Sequence, residues 1–271
     1  MSAATLPYLL EPDTLANHLD DDCIRIVCLG KREQYLAAHI PGAVYLDISM
    51  LNRGSKPAAG LLPDIDVIEQ TFQNVGLTKS LHVVCYDDEA GTRAARMMWV
   101  LEAMGHHNQS YLNGGLTAWA AQHLPLRKGA ESVMASDWIA RPNSSVIASK
   151  RYVLESLEDP NTQILDARTP EEHHGMKSAS ARRGRIPGSV NLNWLDTIDT
   201  DNHRKLKSPD ELNHLLKQRG FDRNKEIIAH CQTHQRSSHS FMMLRSLGFN
   251  NVKGYAGSWS EWADDPALPI E

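Results

Sequence analysis

Cys231 and Arg236 are the residues of this chain whose types and spacing are best suited to chemistry. The apolar run Ile227-Ile228-Ala229-His230 ends at the cysteine, four residues follow (Gln232, Thr233, His234 and Gln235), and then comes the arginine, where a helical pattern resumes. A strand-to-helix turn aims successive backbone N–H groups inward, with a helix N-terminus behind them, so such a loop is a nest for negative charge. A thiol at its base ionises below its ordinary value of about 8.5 and becomes a nucleophile near neutral pH.

A nest of this kind must be held at the end of a strand, and the chain supplies that frame twice. Arg236, Gly248 and Trp262 recur as Arg93, Gly105 and Trp119, and 236 − 93, 248 − 105 and 262 − 119 all give 143. Ile186-Pro187-Gly188-Ser189-Val190 repeats Ile40-Pro41-Gly42-Ala43-Val44 at a spacing of 146. Repeats with a period of about 20 to 50 residues make solenoids, so this longer spacing indicates duplication of a whole domain. The copies differ at the reactive position: the partner of Cys231 is Asp88 at a spacing of 143 and Asp87 at 144. The first copy therefore has a carboxylate there and is expected to be inert, and the second is expected to be catalytic.

Each copy alternates strand and helix signals. In the second, strands are expected at Gln163 to Asp166, Glu226 to His230 and Val252 to Tyr255. Ser208-Pro209-Asp210-Glu211 starts a helix with a capping box and proline at its first position, and Gly220 stops it. Ser237 to Leu247 is expected to be a helix with Phe241, Leu244 and Met243 on one face, ended by Gly248. Strands of the first copy are expected at Ile24 to Leu29, Val83 to Tyr86 and Gln109 to Leu112. This alternation predicts an α/β fold of two similar domains, each a mainly parallel sheet with helices on both faces and the reactive loop at the carboxyl end of a central strand. Residues 1–128 form the expected inert domain, 129–145 a linker and 146–271 the catalytic domain, with the catalytic loop near the cleft between the two.

The 271 residues suffice for two ordinary cores, and the net charge of −5 comes without any basic block suited to nucleic acid or a membrane surface. No signal-peptide pattern is read at the start and no stretch is long enough to span a bilayer, which points to a cytoplasmic protein. The four cysteines lack the spacing of a disulfide framework. Cys23, Cys28 and Cys85 lie in apolar runs and read as packing residues. A metal at Cys231 and His234 lacks a second ligand pair, so no metal is expected. His106-His107 and His173-His174 read as surface histidines.

The motifs in order resemble a tandem rhodanese over nearly the whole chain: Ala38-His39-Ile40-Pro41-Gly42-Ala43 with Gly184-Arg185-Ile186-Pro187-Gly188-Ser189, Leu112-Asn113-Gly114-Gly115-Leu116 with Trp119, Gly254-Tyr255-Ala256-Gly257-Ser258-Trp259 with Trp262, and the loop Cys231 to Arg236. The loop is similar to that of a bacterial subgroup with Cys-Gln-Thr-His at its start, with Gln235 where a second histidine is usual. The resemblance implies that Cys231 takes the outer sulfur of thiosulfate as a persulfide and passes it to cyanide or a thiol. It implies that the backbone of Gln232, Thr233, His234, Gln235 and Arg236 rings that sulfur, and that Arg236 binds the donor. Arg182, Arg183, Arg185 and Trp194 are the further candidate substrate-binding residues.

No cofactor is implied beyond the covalent persulfide, and the partners expected are a small-molecule donor and acceptor, with the chain a monomer. The family's animal members carry a substrate-binding arginine where Glu172 stands, which disfavours 3-mercaptopyruvate as donor. A persulfide carrier and a 3-mercaptopyruvate sulfurtransferase remain alternatives. A cysteine phosphatase has five residues between cysteine and arginine rather than four, and the smaller ring suits one sulfur atom better than a phosphoryl group.

Overall fold

The computed structural model describes residues 6–271. Two five-stranded sheets dominate it. The first is built from β1 (Leu9–Leu10), β2 (Ile24–Cys28), β3 (Val44–Tyr45), β4 (His82–Tyr86) and β5 (Gln109–Leu112), in the order β1-β5-β4-β2-β3. The second is built from β6 (Ile147–Ala148), β7 (Thr162–Asp166), β8 (Val190–Asn191), β11 (Glu226–His230) and β12 (Val252–Tyr255), in the order β6-β12-β11-β7-β8. A two-strand ladder, β9 (Ile198–Asp199) with β10 (Lys205–Leu206), is the only other sheet among the described residues. Every pairing in both large sheets is parallel. Parallel neighbours need crossovers, which the intervening helices supply, and the central strands β4 and β11 are buried along their whole length.

The chain forms two compact units. One comprises the described residues up to Leu51, with Pro63–Pro142 and Asp199–Leu206; the other comprises Asn52–Leu62, Asn143–Ile198 and Lys207–Glu271. A short piece of each half of the sequence thus belongs to the unit built mainly by the other half. In the first unit the core gathers Leu10, Ile26, Val84, Tyr86 and Trp119; in the second, Val153, Ile164, Ile228, Trp259 and Trp262. Trp138, in the stretch read from sequence as linker, packs edge-on against Phe72 with ring centroids 5.0 Å apart.

Local signals explain the element ends. The Ser208 and Glu211 side chains make the reciprocal capping box of the helix Pro209–Gln218, and Gly220 follows it at φ 77°. The helix Arg236–Ser246 differs from the amphipathic expectation: Phe241, Met242, Met243, Leu244 and the run Ser237 to Ser240 are all buried. It is covered on all sides, so its serines face protein and no polar stripe is needed. No helix among the described residues is long and apolar enough to cross a membrane.

Candidate active site

Cys231 follows directly on the central strand β11 and is 1% exposed. Its backbone N–H donates to the Ser258 hydroxyl at 3.3 Å, while its carbonyl and that of Gln232 accept from the N–H groups of Trp259 and Ser260 at 2.9 and 3.0 Å. The loop is therefore fastened to the turn after β12. His234 and Ser258 adopt φ 57° and φ 54°, a left-handed backbone uncommon for residues other than glycine. Gly60, in the segment Asn52–Leu62, lies so close that a Cβ there would overlap the carbonyl oxygens of Thr233 and Ala256.

Burial opposes ionisation of the Cys231 thiol, but the charge of Arg236, the hydroxyl and N–H of Ser237 and the N–H of Thr233 outweigh it, and the pKa falls below the ordinary thiol value. The other buried thiols show what burial does where nothing outweighs it. Cys28 is pushed up to about 11, first by burial, and Cys85 is raised further, again mainly by burial. All four cysteines are free, and among the described residues no group of three metal-ligating side chains could hold an ion.

Arg236, the first residue of its helix, also makes an ion pair the sequence did not foretell. Its Nη1 and Nη2 donate to the two carboxylate oxygens of Glu172 at 2.6 and 2.9 Å. Glu172 is fixed in turn by its place in the capping box of the helix Pro170–His173, where it accepts the Thr169 N–H at 3.1 Å. Burial raises the Glu172 pKa, and the bonds from Arg236 and Thr169 more than reverse that.

Behind the cysteine lies a buried polar layer. Asp166, at the end of β7, accepts from Arg168 Nη2 at 2.7 Å and contacts His173 Nδ1 at 2.9 Å. Burial works against its charge, yet His230, His173 and Arg168 hold its carboxyl well below the usual range. The Arg168 guanidinium lies 4.5 Å above the Trp259 ring. Burial pushes His230 and His239 down to about 4, so both imidazoles are neutral at pH 7. His173 and His106 are buried, contrary to the surface reading of those pairs. His173 faces Asp166, and burial lowers the His106 pKa.

The remaining sequence candidates separate. Gln232 reaches Ser180 through its Nε2 at 2.9 Å, and His234 Nδ1 lies 2.7 Å from the Ser237 hydroxyl. Thr233 and Gln235 are half-buried in the loop. Trp194 is half-buried and meets His239 edge-on at 5.6 Å. Arg182 and Arg185, candidates for substrate binding, are engaged by the protein itself. Arg182 donates to the carbonyls of Trp262, Ala263, Asp265 and Leu268, and Arg185 pairs with Glu271. Their partners stand some eighty positions later in the sequence, which hid the pairing. Arg183 is exposed.

The first unit carries the same loop with different contents. Leu29 N–H bonds to the Tyr86 carbonyl as Ala167 N–H does to that of His230, so Tyr86 matches His230 and Asp87, not Asp88, matches Cys231. The Asp87 carboxylate fills its own nest: Oδ1 accepts the N–H groups of Glu89 and Gly91, and Oδ2 those of Arg93 and Ala94, at 2.8 to 3.0 Å. Five residues separate Asp87 from Arg93, one more than in the Cys231 loop.

Comparison with known proteins agrees with this duplicated geometry. The Rhodanese-like domain matches residues 11–122 and 149–265. The chain is 37% identical to a thiosulfate sulfurtransferase of Azotobacter vinelandii, covering 99% of this chain and 98% of that one. It is 30% identical to a 3-mercaptopyruvate sulfurtransferase of Escherichia coli K12, covering 97% and 98%. The crystal structure of the 3-mercaptopyruvate sulfotransferase SseA from Escherichia coli superposes with a TM-score of 0.84 at 29% identity, covering 93% of this chain and 99% of that one. Two sheets of one topology, two copies of one loop and a single cysteine between them place this chain in the rhodanese family, in its two-copy form.

Proposed function

We propose that the protein is a thiosulfate sulfurtransferase that works through a persulfide on Cys231. The observation that carries this reading is the buried Cys231 thiol, whose pKa is lowered against burial by Arg236, Ser237 and Thr233. The thiolate attacks the outer sulfur of thiosulfate, the S–S bond of the donor breaks, and sulfite leaves with the bonding pair. The persulfide anion that remains takes the place of the thiolate in the nest and needs the same partners. Cyanide or a thiolate then attacks the outer sulfur and departs with it, regenerating the Cys231 thiolate. Neither half-reaction requires a metal or an added cofactor. Behind the loop His230 and His239 are neutral and Arg168 is paired with Asp166, so Arg236 is the charge that acts on the reacting sulfur. Free thiols throughout suit a reducing compartment, and the cytoplasm is the setting proposed.

Identity to thiosulfate and 3-mercaptopyruvate enzymes alike supports sulfur transfer, and Glu172 favours the first donor, because a dianion competes with it for Arg236 better than a single carboxylate does. Intact-mass spectrometry tests the reading. Thiosulfate should add the mass of one sulfur atom and cyanide should remove it, with no adduct on Cys231→Ser. An adduct that survives this substitution, or maps to Cys85, overturns the assignment.

A further inference from the structure

The fork of Arg236 that a donor's oxyanion would meet is already covered by a carboxylate of the protein itself. Glu172 binds it through both oxygens, at 2.6 and 2.9 Å, and the two side chains keep only 13% and 24% of their surface. A bidentate arginine–carboxylate pair is among the stronger charge-assisted contacts, and it uses the geometry by which arginine grips sulfonate or carboxylate groups. Three other arginines of the second unit are held by partners of their own. Arg168 is bound to Asp166, Arg182 to backbone carbonyls and Arg185 to Glu271.

Resting on the thiosulfate reading above, we propose that Glu172 is a specificity-determining residue: an internal anion that an anionic sulfur donor must displace from Arg236. The pair leaves Arg236 charged beside the Cys231 thiol, so the nucleophile stays activated while binding of an external anion is weakened. Discrimination comes from this competition. A dianion such as thiosulfate displaces Glu172 only at elevated concentration, and a donor that carries its own carboxylate does so less well still. Glu172 is not in contact with the reacting sulfur; it acts on the donor through Arg236.

Glu172→Gln removes the charge and keeps a residue competent at the third position of a capping box, so the short helix retains its start. The KM for thiosulfate should fall roughly tenfold or more, as expected when a charge-assisted contact becomes available to the ligand, with kcat within about threefold, since the reacting atoms are untouched. The gain for 3-mercaptopyruvate should be at least as large. Inorganic sulfate, a dianion that cannot donate sulfur, supplies a readout independent of turnover. Its half-protecting concentration against iodoacetamide alkylation of Cys231 should fall by a similar factor in Glu172→Gln and in Glu172→Ala. An unchanged or higher KM together with unchanged sulfate protection overturns the proposal. Failure of thiosulfate to load either protein overturns the thiosulfate reading instead, and the sulfate measurement then judges Glu172 alone.

Discussion

The two loops at Cys231 and Asp87 share a backbone plan and differ in what occupies the nest. In the first unit four N–H groups converge on the two oxygens of one carboxylate, which is covalently part of the loop. In the second, a shorter loop surrounds a single sulfur, and its arginine is held by a carboxylate from a different element, 64 positions away. Arg93, the counterpart of Arg236, instead pairs with Glu89 of its own loop at 3.0 Å. One nest thus closes on a carboxylate of its own loop, whereas the other surrounds a thiol whose pKa is lowered, the group proposed above to carry sulfur. The difference separates anion binding as a folding device from anion binding as chemistry.

The sharpest way to break this comparison is to change both arginines. Arg236→Lys keeps the charge but not the planar fork, and kcat/KM for thiosulfate should fall about tenfold to a hundredfold, the equivalent of roughly 1.5 to 3 kcal/mol. Arg236→Ala should fall further and move the pH midpoint of Cys231 alkylation upward, because the first influence that lowers this pKa against burial is lost. Arg93→Lys should leave steady-state transfer within about twofold, the range of an ordinary surface change. Equal effects at the two positions would show that both loops take part in transfer.

Asp87→Ala comes next in size. It orphans four inward-facing N–H groups, and unfolding free energy should drop by about 3 kcal/mol or more. Below the lowered melting temperature, sulfur loading of Cys231 should remain at the parent level. A stable Asp87→Ala protein would mean that water replaces the carboxylate and that the first nest is not a folding device.

Acid should distinguish the units more gently. His239 stands where the first unit has Arg96, whose Nη2 donates to the Leu51 carbonyl at 3.0 Å. The folded pKa of His239, pushed down to about 4 by burial, lies below the roughly 6.5 of an unfolded imidazole. Unfolding therefore takes up a proton between those values, and stability falls as pH drops through that window. Between pH 7 and 5 the parent should lose about 2 kcal/mol more than His239→Met in urea titrations. Coincident pH slopes would show that the imidazole is charged in the fold.

Much of this architecture can be read from sequence because its determinants are local. β11, Cys231, the four-residue gap and Arg236 follow one another without interruption, and Ser208-Pro209-Asp210-Glu211 carries its own cap. Duplication adds a second reading of each motif, so Trp119 and Trp262 or Gly105 and Gly248 identify each other. What escapes is whatever depends on a distant partner. Glu172 looks like a lost arginine, not the residue that grips Arg236. Three arginines between 182 and 185 resemble an anion funnel until the carbonyls of the C-terminal segment are in place to receive Arg182. His173 follows a short helix start like a surface residue, and only the end of β7 makes it a neighbour of Asp166. The helix Arg236–Ser246 shows one apolar face in sequence, and only the fold reveals that the run Ser237 to Ser240 is buried as well. Ser258 is the subtler case: the first unit has Gly115 at the matching position with the same φ of 54°, and the second accepts a strained residue whose hydroxyl receives the Cys231 N–H.

Gly60 ties synthesis to function. Its segment, Asn52–Leu62, is assigned to the second unit and lies against Thr233 and Ala256. On the ribosome that segment emerges when the residues it packs on are still more than a hundred codons from translation. At about 5 to 20 residues per second it waits many seconds without them. Closure of the Cys231 loop is then among the last events of folding, and a product truncated after the first half leaves the buried end of this segment, Ala58 and Gly60, without the residues it packs on. The same exchange makes the duplication hard to undo: a lineage that discarded the first copy would also discard the segment that lies against the Cys231 loop.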